Sequence, residues 1–256
     1  MRSFRHSFVR FAVLTLLFAS VACLTGCVYL RLLELKKQFA RFDQNFVIQP
    51  GDDFGLRCLH PVLTGDDLRW LGAEPKTITK WSEGEQWNVR WIKVPAANAN
   101  ESVEYDMEFV ARLTNDQLVE AVIPKRYFAY FPKDLFINLL RSTGNAKVDK
   151  KDQEAQAVTE TPPETPLPNI KSVVGMLGGP TSQSVKAGLN VYVYRYRLDV
   201  PAPQTKPVEV TFSFNPDSGD LLKLRAKLAH GTLNYDFTPG SEKKKPPTMH
   251  ERPSQR

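Results

Sequence analysis

Apolar and polar positions alternate with a period of two in the last third of the chain, and this pattern predicts β-strands that bury one face. The alternation is clearest over residues 208–214 and 221–228. A preceding strand is predicted at 189–198, where tyrosines recur at every second position, and a short fourth strand at 232–237. Because successive side chains of a strand point to opposite faces, we expect an antiparallel sheet with one face in water.

A short helix is predicted immediately before these strands, and the first half of the chain has the same order of elements. Residues 169–177 form a largely apolar segment that ends at Gly178-Gly179-Pro180, because glycine suits the residue after a helix and proline cannot continue one. The corresponding elements of the first half are a helix at 67–72, strands at 87–91, 105–113 and 118–123, and an added helix at 133–142.

The spacing of the strands indicates an internal duplication. Trp87 and Tyr105, in the first two strands of the first half, are 18 residues apart, and Leu189 and Val208 in the second half are 19 apart. Tyr105 precedes the start of the next strand, at Leu118, by 13 residues, the same distance that separates Val208 from 221. A repeated order at a repeated spacing is typical of a duplicated unit.

We therefore predict an α+β fold of two small modules, each with short helices followed by a three-stranded antiparallel sheet, after an N-terminal membrane-anchored helix. The divisions are a signal peptide (1–26), a lipidated anchor and stalk helix (27–46), a first module (47–146), a disordered linker (147–168), a second module (169–239) and a disordered basic tail (240–256). The linker and the tail are rich in proline and charged residues, so they have little apolar surface to bury.

The first 27 residues have the layout of an export signal. Three arginines precede an apolar run over 11–22, and small residues lead to a cysteine. The segment Leu24-Thr25-Gly26-Cys27 resembles the lipobox of bacterial lipoprotein precursors. The resemblance implies cleavage before Cys27, acylation of its sulfur and anchoring in an envelope membrane, and Val28 in place of aspartate favours the outer membrane.

An uncleaved signal anchor is the alternative. Residues 11–30 include no charged side chain, and 20 helical residues cover about 30 Å, enough to cross a bilayer. Both alternatives keep the arginines inside and place the body of the protein outside the cytoplasm. They differ in whether the N-terminus is an acylated cysteine or an intact Met1.

Charge and cysteine content narrow the classes of function. The net charge of +6 comes from the leader arginines and the basic tail, so the body is close to neutral and nucleic acid is not an expected partner. Of the three cysteines, Cys23 lies in the leader and Cys27 would be acylated. Only Cys58 remains, which excludes an intrachain disulfide in the mature lipoprotein, and we expect its thiol to be buried and inert.

The sequence has no pattern that indicates catalysis, a metal or a cofactor. Cys58 and His60 lie two apart beside Pro61, a spacing that does not place sulfur and imidazole within hydrogen-bond reach on a strand. Asp66 or Asp67 is expected to cap a helix. Phosphate-loop, dinucleotide, nucleophile-elbow and zinc-protease motifs are missing from the sequence. We therefore expect a protein without enzymatic activity or cofactor, for which a small-molecule substrate is not expected.

Aromatic side chains are the strongest candidates for an interaction site. Basic residues flank one cluster, and aromatic residues of this kind suit protein interfaces and lipid headgroup regions. The candidate interface residues are Tyr127, Phe128, Tyr130, Phe131, Tyr192, Tyr194 and Tyr196. For the three strand tyrosines the opposite face, with Val191 and Val193, is the other candidate for the buried side.

The second module, with the glycine-rich stop at 175–180 followed by the strands at 191–194 and 208–212, is similar to the small lipoprotein of the outer-membrane β-barrel assembly machinery. Two such modules in tandem also resemble secreted β-lactamase inhibitor proteins. These resemblances imply binding to another protein. We expect an envelope lipoprotein, held by membrane lipid, that binds or scaffolds an envelope protein, with outer-membrane assembly as one setting. An inhibitor or immunity-type module for a secreted enzyme is the alternative.

Overall fold

Thirteen strands and five α-helices make up the part of the chain that the computed structural model describes, which is residues 28–97, 99–100, 102–149, 151, 153–159, 166–200 and 207–238. The helices are α1 (Val28–Ala40), α2 (Phe42–Asn45), α3 (Gly65–Trp70), α4 (Lys133–Asn145) and α5 (Ile170–Leu177). The strands are β1 (Phe46–Gln49), β2 (Phe54–Cys58), β3 (Thr77–Trp81), β4 (Gly84–Val94), β5 (Met107–Thr114), β6 (Gln117–Ile123), β7 (Lys147–Asp149), β8 (Glu154–Val158), β9 (Ser182–Lys186), β10 (Leu189–Leu198), β11 (Val208–Phe214), β12 (Leu221–Leu228) and β13 (Gly231–Asp236). The predicted signal peptide, Cys27 and the basic tail lie outside the described residues.

All thirteen strands belong to one sheet. Its order is β1-β2-β6-β5-β4-β10-β11-β12-β13-β8-β7, with β3 paired to β4 and β9 paired to β10. The prediction of two separate three-stranded modules is therefore wrong. The reason is that β4 and β10 pair antiparallel over Trp91–Val94 and Arg195–Leu198, which joins the halves through backbone hydrogen bonds.

The predicted disordered linker is also structured over much of its length. Strands β7 and β8 lie within it, and β8 pairs in parallel with β13 at the end of the sheet. Composition hid these strands because only the alanines of β8 face the core. Ala157 is buried and Ala155 packs beside it, whereas Gln156 between them is exposed. Residues 160–165 of the predicted linker lie outside the described residues.

The predicted stalk helix is an integral part of the fold. It is broken at Arg41, and in α1 the side chains of Leu32 and Leu35 pack against buried core residues. Helices α1 and α4 cross so closely that a Cβ on Gly144 would come within 2.5 Å of the α-carbon of Ala40. Helix α1 is therefore clamped between the sheet and α4.

The predicted internal duplication is visible in the positions of the elements. Helices α1 and α4 begin at positions 28 and 133, α3 and α5 at 65 and 170, and β4 and β10 at 84 and 189, a constant offset of 105. Each repeat consists of a long helix, a hairpin, a short helix and four strands; β13 follows the second repeat. We call these the first and second repeats.

The strand registers of the two repeats also match. Trp91 pairs with Met107 in the first repeat, and Tyr196, 105 positions after Trp91, pairs with Val208 in the second. The registers of β5 with β6 and of β11 with β12 shift at equivalent places, after Arg112 and after Ser213.

The junction between the repeats has local two-fold symmetry. Ile92 of β4 pairs with Arg197 of β10, and these two residues are themselves equivalent, since their positions differ by the same 105. Phe39 and Gly144, at the crossing of α1 with α4, are equivalent by the same offset. A two-fold axis at the Ile92–Arg197 pair therefore relates the repeats.

The helices α1, α3, α4 and α5 all pack on one face of the sheet. Leu135 and Leu139 of α4 and Val173 of α5 are buried against the second repeat. Leu68 of α3 is buried against Trp87 in the first. On the opposite face, polar side chains are mixed with aliphatic ones such as Ile92, Val191 and Val193, most side chains are exposed or half-buried, and none of the described helices covers it. We call this the open face.

Candidate interaction face

The open face of the second repeat has charged side chains in rows across the strands. One row joins Arg195 to Glu209 and Glu209 to Lys227, each directly opposite the next. Arg225 lies in the next row, opposite Thr211, and Lys223 in the third, opposite Ser213. Because paired residues of an antiparallel sheet share a face, these side chains project together into solvent.

Basic side chains outnumber carboxylates in these rows. Arg195 pairs with Glu209 at 2.9 Å and Arg225 with Glu154 at 2.9 Å. Lys223 and Lys227 have no ion-pair partner among the described residues. We call the exposed side chains of Arg195, Lys223, Arg225 and Lys227 the basic face.

One carboxylate lies beside the third row without forming an ion pair with it. Asp236 lies opposite Lys223 in the register of β12 with β13, but its carboxylate accepts a hydrogen bond from the backbone N–H of Thr238. Lys223 and Asp236 therefore form no direct ion pair, although the negative charge of this carboxylate lies on the neighbouring strand.

The first repeat presents a more balanced surface at the corresponding places. Its open-face arginines are each matched by a carboxylate, at distances from 2.6 to 3.8 Å: the pairs are Arg90–Asp106, Arg112–Glu120 and Arg57–Glu83. Each of these arginines has a nearby negative charge, so the second repeat differs in its two exposed open-face lysines, Lys223 and Lys227, which form no ion pair among the described residues.

The predicted strand tyrosines lie on the opposite face from the basic face. Tyr194 and Tyr196 are both 0% exposed, and Tyr192 is half-buried with its ring edge against Phe214. Burial raises the pKa of Tyr194 and of Tyr196 above that of free tyrosine. Helices α4 and α5 cover this face, so Tyr194 and Tyr196 belong to the core and not to an exposed interface.

The second predicted aromatic cluster does not form an exposed patch either. Phe131 is buried, and the ring of Phe128 packs against those of Phe54 and Phe136. The hydroxyl of half-buried Tyr127 donates to the carbonyl of Asp106 and accepts from the backbone N–H of Glu108.

Only Tyr130 of this cluster is well exposed, at 43%. Its ring packs beside Gly175 of α5, where a Cβ would come within 2.6 Å of the ring. The aromatic interface predicted from the sequence is therefore reduced to one exposed ring that packs against a helix.

Lys93 is a functional candidate that the sequence reasoning missed. Its side chain is buried at the junction of the repeats, and the ammonium donates to the carbonyls of Leu177 and Gly179 at the end of α5. The rings of Tyr105 and Tyr194 lie 5.1 and 5.4 Å from it. A signal was present in the sequence, because Lys93 continues the alternation that buries the preceding apolar residues of β4.

The surroundings of Lys93 suit a structural cation. Burial lowers the pKa of its ammonium, and no carboxylate among the described residues forms an ion pair with it. Carbonyls at the end of a helix carry partial negative charge and attract a cation. Lys93 also borders a cavity of about 150 Å³ with Asn100, Ser102 and Tyr105. Lys93 thus ties β4 of the first repeat to the end of α5 in the second.

The predicted helix cap at Asp66 or Asp67 has a structural role. Thr64, and not Asp66 or Asp67, caps α3, while Asp67 completes the capping box and binds Arg31 through two hydrogen bonds. Burial raises the pKa of Asp67, but the hydrogen bonds from Arg31 and Thr64 outweigh it and leave that pKa below its usual value.

Cys58 has the environment of an unreactive thiol. Burial, with a smaller contribution from Glu120, raises its pKa to about 11, so the thiol is protonated at neutral pH. Within the described residues, no three histidine, cysteine or acidic side chains are placed to hold a metal ion. In the same part of the chain, every helix is too short or too polar to span a bilayer.

The basic part of the open face is thus a chemically distinct surface in the described part of the chain. Its rows are held in register by the sheet, so the spacing of the charges is fixed by the backbone. No known protein family, curated protein or solved structure matches this chain.

Proposed function

We propose that this chain is an envelope lipoprotein, anchored through Cys27, that binds an acidic partner protein with its basic face. The observation that best supports this proposal is the line of exposed basic residues along β12. Of these, Lys223 and Lys227 have no carboxylate partner among the described residues. The leader sequence supports a location in the cell envelope, and Val28 favours the outer membrane.

The geometry of the basic face suits an extended or flat acidic surface. Alternate residues of one strand are about 6–7 Å apart, so Lys223, Arg225 and Lys227 form a line of three cations about 13 Å long. Arg195 adds a fourth cation two strands away. Such a field steers an oppositely charged protein toward the face, and salt weakens the attraction.

A charge-reversal experiment tests this function. The full-length protein, carrying a photocrosslinking residue at Thr211 on the open face, is expressed in its own cells and crosslinked. We expect one dominant acidic envelope protein to be captured. Lys223→Glu combined with Lys227→Glu should reduce the yield at least about tenfold, because two attractive contacts become repulsive.

The matched control is Lys80→Glu combined with Lys171→Glu, which reverses two exposed lysines away from the open face. This control should retain the crosslink. Equal capture by both double variants, or capture of a basic partner, would overturn the proposed binding mode. A secreted enzyme as the crosslinked protein would favour an inhibitor role over a scaffolding one.

The anchor has a separate test. Mass spectrometry of the membrane-extracted protein should find an N-terminal peptide that begins at Cys27 and carries acyl chains. A peptide that begins at unmodified Met1 would replace the lipoprotein with a single-pass signal-anchored protein.

A further inference from the structure

Helix α1 joins the anchor to the folded body with almost no intervening chain. It begins at Val28, directly after Cys27, and Arg31 already binds the buried carboxylate of Asp67. Four helical residues span about 6 Å. The described chain therefore has no flexible segment between Val28 and the folded body, and the membrane must lie next to the residues around the start of α1.

The surface at this place is aromatic and partly apolar. Tyr29 and Leu30 are 47% and 44% exposed. The ring of Tyr29 meets that of Trp70 edge-on at 5.4 Å, and the ring of Trp70 stacks on that of His230 at 4.4 Å. The start of α1, the end of α3 and the turn between β12 and β13 thus meet in one cluster.

We infer that Tyr29, Leu30, Trp70 and His230, which we call the docking cluster, rest in the headgroup region of the bilayer that holds the anchor. Tyrosine and tryptophan favour this region because their rings are apolar and their N–H or O–H groups remain hydrated. The inference rests on the membrane anchor of the proposed function. It applies equally to acyl chains on Cys27 and to an uncleaved signal anchor.

The contact fixes the orientation of the whole body. Helix α1 is clamped by the sheet, by α4 and by the Arg31–Asp67 pair, so the sheet cannot turn freely about the anchor. The basic face is then presented to its partner at one height and one angle above the membrane. The bilayer acts as a second binding partner of the folded domain.

Quenching of tryptophan fluorescence by brominated lipid tests this arrangement. The full-length chain, purified from membranes, is reconstituted into phosphatidylethanolamine–phosphatidylglycerol vesicles that contain dibrominated phosphatidylcholine. We expect Trp70, one of four tryptophans, to account for most of the quenching. Trp70→Phe should therefore reduce the quenched emission about threefold or more, because Trp87 is buried and Trp91, although near Trp70, is packed against the two hydrophobic cores.

Trp81→Phe is the matched control. Trp81 pairs with Gly84 at one end of β4. Trp91 lies seven residues further along β4, and its indole donates to the carbonyl of Gly72, close to Trp70. At the rise of a strand this separation is about 23 Å. The control should keep the wild-type quenching, and adding Tyr29→Trp to the Trp70→Phe protein should restore it.

The outcomes separate this inference from the proposed function. A protein that does not float with vesicles lacks the anchor, and both ideas fail. A protein that floats, but whose quenching is the same with and without Trp70, keeps its anchor and refutes the docking cluster. Failure of Tyr29→Trp to restore quenching, in a doubly substituted protein that circular dichroism shows to be folded, would refute it as well.

Discussion

Lys93 illustrates how much a single side chain decides at the residue scale. Alternation along β4 places it on the buried face, and that much could be read from the sequence. The acceptors of its hydrogen bonds could not be predicted from the sequence, because the carbonyls of Leu177 and Gly179 are more than 80 positions away. The strand tyrosines show the same limit: alternation shows that Tyr192, Tyr194 and Tyr196 share a face, but not that α4 and α5 cover it.

Replacement of this lysine should weaken the junction of the repeats. Lys93→Met keeps the length of the side chain but removes two hydrogen bonds to helix-end carbonyls, so we expect a loss of about 1–3 kcal/mol in the free energy of unfolding at pH 7. Urea titration of the full-length protein in detergent measures it. Unchanged stability would show that the carbonyls are satisfied without the ammonium.

The pH dependence of the wild type, compared with Lys93→Met, has a defined sign. Folding lowers the pKa of Lys93 below 10.5. The unfolded chain therefore holds this proton to higher pH, and the wild type should gain stability relative to the variant as pH rises from neutral toward 10.5. A difference that is flat or that shrinks over this range would contradict burial of the cation.

At the element scale, the sequence is a good guide where one face of a strand is wet. Strands β11 and β12 have the predicted bounds, and the stop at Gly178 is confirmed with a φ of 68°. Strand β9 was missed because all its residues are exposed and leave no alternation to detect. Strand β3, nearly as exposed, was missed for the same reason. Close packing of helices such as α1 and α4 leaves no periodic signal either.

The crossing of α1 and α4 should not tolerate a methyl group. A Cβ on Gly144 would overlap the backbone of Ala40 and Phe39, so Gly144→Ala should cost about 1–3 kcal/mol or more in the free energy of unfolding. Gly179→Ala, where a Cβ would meet nothing within 4 Å, is the control and should be close to neutral. Chemical denaturation of the two variants side by side would decide, and equal stability would mean that the helices can separate without cost.

For the whole molecule, the division into two modules failed because the joining contact is non-local. Each repeat reads correctly as a local sequence of elements, and the duplication could be inferred from spacing. The pairing of β4 with β10 joins residues about 100 positions apart, and the sequence gives no register for it. The basic face could not be predicted either, since its rows depend on the register of several strands.

One continuous sheet and one helix crossing should make the repeats unfold together. All four tryptophans lie between positions 70 and 91, in the first repeat, so their fluorescence reports mainly that repeat, although Trp70 and Trp91 also contact the second. We expect the fluorescence and circular dichroism midpoints in urea to coincide.

Leu221→Ala, at a fully buried position of the second repeat, should lower both midpoints together, because it should cost about 2–5 kcal/mol in the free energy of unfolding. If the fluorescence midpoint were the same with and without Leu221→Ala, the repeats would unfold independently.

Ile92 pairs with Arg197, its own equivalent in the second repeat, and this pairing suggests how the chain evolved. An ancestor with a single copy of the unit would have met its twin across the same strand, as a symmetric homodimer. Gene fusion would then have fixed the stoichiometry at one to one within a single polypeptide and released each copy from the demands of symmetry. Lys93 and its counterpart Leu198, or the balanced and basic halves of the open face, are differences that two fused copies can accumulate and that a homodimer of identical chains cannot.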